Sequence, residues 1–428
     1  MVTGVLFGAF IILLILQVPI GIALGAASLV TIWYSGLIKT TLLAQSLTTA
    51  VDSFPIMAIP FFILAGSLMG AGGISQRLLN VAGIMVGRMT GGLSLVTIAA
   101  CMLFSSICGS GPATVAAIGG LMFPAMVKAG YDKGFAGGLV SMSGSLGVIF
   151  PPSIPMVVYC IAAERVSIAD LFLAGVFPGF LVGACLMTYA WYVSRQRGWK
   201  EEHKPLTVKE VFAVLNDAKW ALFAPVIILG GIYGGVFTPT EAAAVAVMYG
   251  FIVGLFIYKA LKWRDMPRVV INAGLMTATI LVIFGTAITF ARIMTMERVP
   301  QQLVEIITTF STNPLVILLM INILLLFVGL FMETLALIII LAPILLPVIT
   351  AVGIDPVHFG MIMIVNLAIG FSTPPVGINL FVTSAISKMP LEELVKAVTP
   401  WFFVMLVALA GITYFPAMST WLPALVRG

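Results

Sequence analysis

A short polar segment, SSICGSGPATVAAIGG, interrupts an apolar stretch of the chain at residues 105–120. It contains three serines and a Gly-Ser-Gly-Pro turn. Serine hydroxyls and freed backbone carbonyls are hard oxygen ligands of the kind that bind small cations. In a membrane every unpaired backbone group is costly, so an interruption here requires a compensating partner or a function.

The composition predicts an integral membrane protein. Of the 428 residues, 61% are hydrophobic and 9% are charged, whereas a soluble domain carries about 25% charged residues. Apolar runs such as 315–331 and 401–415 approach the length of a bilayer-spanning helix and lack the alternation of a β-barrel. We therefore predict an all-α polytopic membrane protein. With the repeats and breaks described below included, the predicted fold has about 11 transmembrane helices and two re-entrant hairpins.

Two basic segments predict how the chain is oriented. Residues 195–219 hold six Lys or Arg against four acids, and residues 259–268 hold four against one. The positive-inside rule makes both segments cytoplasmic. Residues 220–258 should then cross the membrane twice or not at all, and their length suits two short crossings with the turn at 234–241. No aromatic-basic interleaving accompanies these charges, so we expect no nucleic-acid partner.

An offset of 223 residues relates the two halves of the chain. It places 104–160 on 327–383 with nine identities in 57 positions. The matched residues include Pro124 with Pro347, Gly130 with Gly353, Asp132 with Asp355, and Pro151-Pro152 with Pro374-Pro375. Because glycine and proline constrain the backbone, these pairs indicate one backbone path used twice. We predict two repeats at 1–194 and 220–428, joined by a cytoplasmic loop or amphipathic helix at 195–219. The matched residues alone leave their relative orientation open; an odd number of crossings in each half would make them the inverted repeats that we predict.

Each repeat is predicted to contain two interruptions. Hairpins are expected near 90–127 and 314–350, and broken helices near 135–163 and 357–386. The proline pairs cannot continue a helix. Duplicated broken helices are typical of secondary transporters, whose substrate and ions bind at the breaks.

Oxygen ligands near these interruptions predict two sodium sites. Site 1 would comprise Ser105, Ser106, Ser110, Gly147, Phe150 and Pro151, and site 2 Gly329, Met332, Glu333, Gly370, Thr373 and Val376. Ser106 and Ser110 would share one face if the helix continues through them. The alternative is that small residues here only allow close helix packing.

Other charged residues have structural interpretations. Glu333 lies in an apolar half, where a charge is usually functional, although it could also pair with a helix N-terminus. Glu241 follows a proline and is expected to be a first-turn acid. Arg292, Glu297 and Arg298 lie at a predicted span end, where snorkelling or pairing is expected.

Several enzyme classes lack the residues they need. The two histidines lie far apart, so no His-based metal site is expected, and no GxxxxGK[ST] motif is present. A hydrolase built on Ser110 would lack a nearby base. We predict that the protein is not an enzyme and has no cofactor beyond sodium as a coupling ion.

The segments at 57–79, 105–126, 147–159, 234–249 and 372–382 together resemble the large membrane subunit of TRAP (tripartite ATP-independent periplasmic) transporters. The resemblance covers essentially the whole chain. It implies a sodium-coupled, elevator-type importer of organic acids in the bacterial inner membrane. It also implies two partners, a small four-span membrane subunit and a periplasmic substrate-binding protein, and no ATPase.

The resemblance further implies that the acid binds between the hairpin tips. The residues concerned are Ser110, Gly111, Ser153, Glu333, Thr334 and Asn379. Sialic acid and C4-dicarboxylates are the leading substrate classes, with sialic acid preferred. Neither break contains Arg or Lys, so co-bound sodium and helix N-termini would neutralise the acid.

Three other functions remain open from the sequence. One is a stand-alone sodium-coupled dicarboxylate or citrate carrier without a binding protein. Another is the permease half of an ATP-driven importer. A channel is the third, although closed hairpins argue against it.

Overall fold

The computed structural model describes residues 1–36, 41–164, 166–199, 207–311 and 313–427. All regular elements within these residues are helical. The first half comprises α1 (Val2–Ile15), α2 (Ile20–Ser35), α3 (Thr41–Val51), α4 (Ala58–Ala71), α5 (Ile74–Val86), α6 (Gly92–Cys108), α7 (Gly111–Thr114), α8 (Gly120–Lys128), α9 (Lys133–Gly144), α10 (Ile154–Ala163) and α11 (Ile168–Gln196).

The second half is equally helical in its described residues. It comprises α12 (Val208–Tyr233), α13 (Pro239–Ile252), α14 (Met266–Met296), α15 (Val299–Phe310), α16 (Pro314–Gly329), α17 (Thr334–Ala351), α18 (Pro356–Gly370), α19 (Ile378–Ser387), α20 (Leu391–Tyr414) and α21 (Ala417–Arg427). Short 3₁₀ segments occur at Phe54–Met57, Ser145–Val148 and Trp263–Asp265, and π segments at Val115–Gly119 and Val253–Ile257.

The helices have the lengths and surfaces of a membrane protein. Among the described residues, seven helical segments are long and apolar enough to cross a bilayer, and eight further apolar helices have 10–17 residues. Large apolar side chains such as Trp33, Phe403 and Val407 are exposed, as expected of a surface that faces lipid. The all-α polytopic class is confirmed, whereas the number of crossings stays a prediction.

The two halves use the same succession of helices and breaks. The 223-residue offset carries the starts of α6, α7, α9 and α10 to 315, 334, 356 and 377, and α16 to α19 start at 314, 334, 356 and 378. The corner before each broken helix is also repeated. Gly130 and Gly353 have φ of 88° and 76°, and Asp132 and Asp355 cap the helices that follow. The inversion of one half relative to the other stays a prediction.

The connector between the halves differs from its prediction. Helix α11 extends to Gln196, and α12 runs from Val208 to Tyr233 without a break. Residues 208–219 are therefore the start of a long helix rather than a separate amphipathic helix, and the expected repeat boundary at 220 falls inside it. The predicted loop at 200–206 lies outside the described residues.

The structure confirms the predicted turn after α12. Helix α12 ends at Tyr233 and α13 begins at Pro239. Thr238 and Glu241 form a reciprocal cap, in which the Glu241 carboxylate accepts the backbone N–H and the hydroxyl of Thr238, both at 2.8 Å. Glu241 thus has the structural role expected of a first-turn acid.

Candidate functional site: hairpin tips against broken helices

Hairpin 1 consists of α6 and the helical segment from α7 to α8, and its tip is a tight turn. Helix α6 ends at Cys108, and Gly109 has φ 63°. Ser110 is extended and precedes α7, with Pro112 in the first turn. The helix therefore does not continue from Ser106 to Ser110, and the predicted shared face of these two serines is wrong. A left-handed glycine followed by an extended residue reverses the chain at this point.

The tip of hairpin 1 packs directly against the first Pro-Pro break. A Cβ placed on Gly109 would lie 2.8 Å from the carbonyl oxygen of Pro152, and one on Gly147 would lie 2.5 Å from that of Ser110. The backbone N–H of Ile154 also donates to the Gly109 carbonyl at 3.4 Å. These glycines are required because a side chain would separate the tip from the break.

The predicted site 1 oxygens lie around this contact. Within the described residues no N–H or O–H donates to the carbonyl of Phe150 or Pro151. The hydroxyls of Ser105 and Ser106 donate to carbonyls one turn back in α6, which leaves oxygen lone pairs available. Ser110, Gly147 and the break thus form one oxygen-rich region, and Ser105 and Ser106 lie in the last turn of α6.

Hairpin 2 consists of α16 and α17, and Glu333 lies at its tip. Glu333 is half-buried and is the N-cap of α17. Its carboxylate accepts the backbone N–H of Ala336 at 3.2 Å. Of the two roles considered for this acid, pairing with a helix N-terminus is observed.

The tip of hairpin 2 packs against the second break in the same way. A Cβ placed on Gly370 would lie 2.8 Å from the carbonyl oxygen of Gly329. The Val376 N–H donates to the Leu330 carbonyl at 3.3 Å, and the buried Met332 lies in the turn. The Thr373 hydroxyl donates to a carbonyl four residues earlier at 2.7 Å. The predicted site 2 residues therefore surround one contact between a hairpin and a break.

Most of the predicted substrate residues are buried. Ser153, Thr334 and Asn379 have 1%, 4% and 0% of their surface exposed, and Gly111 is buried as well. The Ser153 hydroxyl donates to the Val148 carbonyl at 2.6 Å. Ser110 and Glu333 are half-buried, and the described contacts do not join one to the other. The two tips therefore offer these two residues as the accessible ones.

A buried polar cluster that the sequence did not reveal connects the two broken helices. The Asn379 side-chain N–H donates to the Ser141 carbonyl at 3.2 Å, and the Ser372 hydroxyl donates to the same carbonyl at 2.9 Å. Ser145 lies 3.5 Å from both the Asn379 amide and the Ser372 hydroxyl. The signal in the sequence was the SMSGS segment at 141–145, because it places hydroxyls four residues apart just before a break.

A second buried chain of polar groups joins α16, α18 and α20. Asn366 donates to the side-chain oxygen of Asn322 at 2.8 Å, and Asn322 donates to the Thr413 hydroxyl at 3.1 Å. Asn366 lies four residues before Gly370, and Asn322 seven before Gly329. This series of hydrogen bonds therefore fixes α16 and α18, the two helices that end in the predicted site 2.

These features define a multi-pass, all-α membrane protein with paired hairpins and broken helices. The fold is similar to that of the YdaH transporter of Alcanivorax borkumensis. The TM-score is 0.68 at 14% identity, and the match covers 94% of this chain and 96% of that one.

The family follows from the sequence comparison. Residues 7–418 match the family model described as "Tripartite ATP-independent periplasmic transporter, DctM component". The chain belongs to this family, as the resemblance implied, and is a multi-pass protein of the bacterial inner membrane.

Two relatives are similar over nearly the whole chain. The isethionate TRAP transporter permease protein DctMQ of Oleidesulfovibrio alaskensis is 51% identical over 414 residues, which are 97% of this chain and 65% of that protein. The C4-dicarboxylate TRAP transporter large permease protein DctM of Rhodobacter capsulatus is 41% identical over 435 residues, covering 99% of both. This chain thus spans about two thirds of the first relative's length and nearly all of the second's. Both relatives are named as permeases.

Proposed function

We propose that this protein is the transport subunit of a sodium-coupled importer of small organic anions. The observation that carries the proposal is the repeated contact between a hairpin tip and a Pro-Pro break. In one half Gly147 approaches the Ser110 carbonyl, and in the other Gly370 approaches the Gly329 carbonyl. Unwound carbonyls and hydroxyls held together in this way are the groups that bind sodium in secondary transporters.

A sodium ion at each site would hold the hairpin tip against its Pro-Pro break. At site 1 the ion would draw Ser110 towards the carbonyls near Phe150 and Pro151. At site 2 it would bind between Glu333 and Thr373. Each ion adds positive charge beside the tip, so an organic anion would bind next to it without a nearby Lys or Arg.

The hairpins and broken helices would move together as one transport domain. The Ser141, Ser372 and Asn379 cluster ties the two broken helices to each other, which favours a rigid unit. Helices α2, α4, α13 and α14 pack among themselves and would form the static scaffold. An elevator movement of the first unit along the second would carry substrate and sodium across the membrane.

We propose a small carboxylate or sulfonate as the substrate. The two relatives are named for isethionate and for C4-dicarboxylates, and both are small organic acid anions. Sialic acid, preferred from the resemblance, stays a prediction. The tripartite family also supports the two expected partners, a periplasmic binding protein and a small four-span membrane subunit.

Uptake in proteoliposomes tests the proposal. Labelled isethionate, succinate and sialic acid would be offered while sodium, membrane potential and binding protein are varied independently. We expect uptake of one acid that requires inward sodium and the binding protein. Uptake that continues unchanged without sodium would contradict sodium coupling. Full uptake without binding protein would favour the stand-alone carrier.

A further inference from the structure

A cavity of about 950 Å³ lies between α14 and the second arm of hairpin 2, apart from both predicted sodium sites. Phe284 and Arg292 of α14 form one wall, and Ile339 and Thr350 of α17 form another. Ile161 of α10 also contributes. Helix α14 belongs to the proposed scaffold, whereas α17 and α10 belong to the proposed transport domain. The cavity is therefore at the interface between the two units.

The cavity lies on the side of the membrane opposite the two basic segments. Helix α14 starts beside the basic segment 259–268, and Arg292 lies four residues before its end at Met296. The turn between α12 and α13 lies on the same far side, and Thr240 after that turn donates to the Phe54 carbonyl at 3.1 Å. Ser53, next to Phe54, lines the cavity. With the basic segments in the cytoplasm, this side is the periplasmic one.

Arg292 supplies most of the hydrogen-bond donors in this cavity. Its side chain is exposed and lies in a candidate membrane span, Trp263–Met296. One guanidinium nitrogen donates to the Ser46 hydroxyl at 3.3 Å. In the described part of the chain no carboxylate lies within ion-pair distance of Arg292, although Glu164 lines the same cavity. An unpaired cation within a span is a candidate for function.

Glu164 is the only other charged residue among the described residues that line the cavity, and it lies outside ion-pair distance of Arg292. The remaining walls offer little competition for a bound anion. The hydroxyls of Thr295 and Thr350 donate to carbonyls of their own helices. Most of the remaining lining residues are apolar. A planar guanidinium binds a carboxylate or sulfonate through two parallel hydrogen bonds, and apolar surroundings strengthen that interaction.

We propose that this cavity is a vestibule in which Arg292 binds the carboxylate or sulfonate of the arriving substrate. The inference rests on the proposed import of organic anions. Ile339 lies five residues after Thr334, which is about 8 Å along the helix, so the cavity leads from Arg292 towards the tip of hairpin 2. The vestibule supplies the fixed positive charge that the two breaks lack.

Sodium-free binding distinguishes the vestibule from the tips. The tip site requires co-bound sodium to neutralise the acid, whereas Arg292 requires none. Equilibrium binding of labelled isethionate and succinate to the purified membrane complex would be measured in choline buffer without binding protein. The variants are Arg292→Gln and Arg292→Lys, with Arg298→Gln as the matched control, because Arg298 is exposed just beyond the same end of α14 and does not line the cavity.

We expect wild type and Arg298→Gln to bind one of these anions without sodium. Arg292→Gln should weaken that binding by about 10- to 100-fold, as loss of a charge-assisted pair predicts. Arg292→Lys should weaken it less, because it keeps the charge but not the paired donors. Elution volume and thermal melting of each complex would verify folding. If Arg292→Gln does not fold, the lysine variant carries the test.

Two results would overturn the proposal that this cavity is an anion-binding vestibule. The first is that the folded Arg292 variants bind the labelled anions without sodium as tightly as wild type does. This result counts against the vestibule even if the variants co-purify with a different amount of anionic lipid. The other is the absence of sodium-free binding by the wild-type complex while its sodium-dependent uptake is intact. Failure of the proposed function would look different, because wild-type uptake would then be independent of sodium.

Discussion

Hairpin 1 approaches the backbone of the first broken helix closely at Gly147, and one added methyl group tests the role of this contact. A Cβ there would lie 2.5 Å from the Ser110 carbonyl oxygen and 2.6 Å from Oγ1 of Thr114. Ordinary contacts begin at 3.4 Å, so in Gly147→Ala the tip must retreat by about 0.9 Å. Overpacking of this kind costs about 1–3 kcal/mol.

That cost should appear in sodium binding. The proposed site 1 would form only when the tip and the break are in contact, so the added methyl group should weaken binding of the ion. At about 1.4 kcal/mol per tenfold, the sodium concentration for half-maximal uptake should rise by about 5- to 150-fold. The matched control is Gly120→Ala in the same hairpin, because a Cβ on Gly120 meets nothing within 4 Å.

Sodium-dependent uptake in proteoliposomes, at saturating substrate and binding protein, measures the effect. Thermal melting of the purified complex over a sodium series checks it independently, because an ion that binds the folded protein raises its melting temperature. We expect Gly120→Ala to match wild type in both assays. A folded Gly147→Ala variant with the sodium dependence of wild type would refute the assignment of site 1 to this contact.

Three further predictions concern the same elements. Ser110→Ala and Thr373→Ala should each raise the sodium concentration for half-maximal uptake, because each removes a proposed ligand; unchanged dependence in both would remove these residues from the sites. Asn366→Ala should lower the free energy of unfolding by about 1–2 kcal/mol by breaking a bond between membrane helices, measured as a lower melting temperature, and an unshifted temperature would contradict that role. Asp132→Ala and Asp355→Ala should each lower the free energy of unfolding by about 1 kcal/mol, because each removes a helix cap. A melting temperature equal to that of wild type would show that these caps are dispensable.

Much of the fold could be predicted because its signals are local. Proline pairs end helices wherever they occur, and the matched Gly130 and Gly353 turn the chain by their own backbone freedom. Helices accordingly begin and end within a few residues of the bounds expected for the hairpins and broken helices. The shared face of Ser106 and Ser110 was wrong, because a single left-handed residue at Gly109 reverses the chain between them.

The polar groups of the site depend on distant partners. Asn379 was expected to bind substrate, but its amide donates to Ser141, which lies 238 residues away in the sequence. Nothing in the sequence indicated that Asn322 and Asn366 form a hydrogen bond, because each is an isolated amide in an apolar helix. The expectation that Arg292 snorkels or pairs stays a prediction, and nothing along the sequence indicated that it also lines a cavity formed by helices from both halves.

The sequence by itself determined the membrane class, the repeated path of the chain and the positions of its breaks, because composition, glycine and proline act on the backbone where they stand. Only the tertiary structure decided which oxygens converge at each tip, that a serine-asparagine cluster joins the broken helices, and that Arg292 faces an open cavity. Those features depend on contacts between helices far apart in the sequence, and residue type and spacing along one chain do not specify which helices meet.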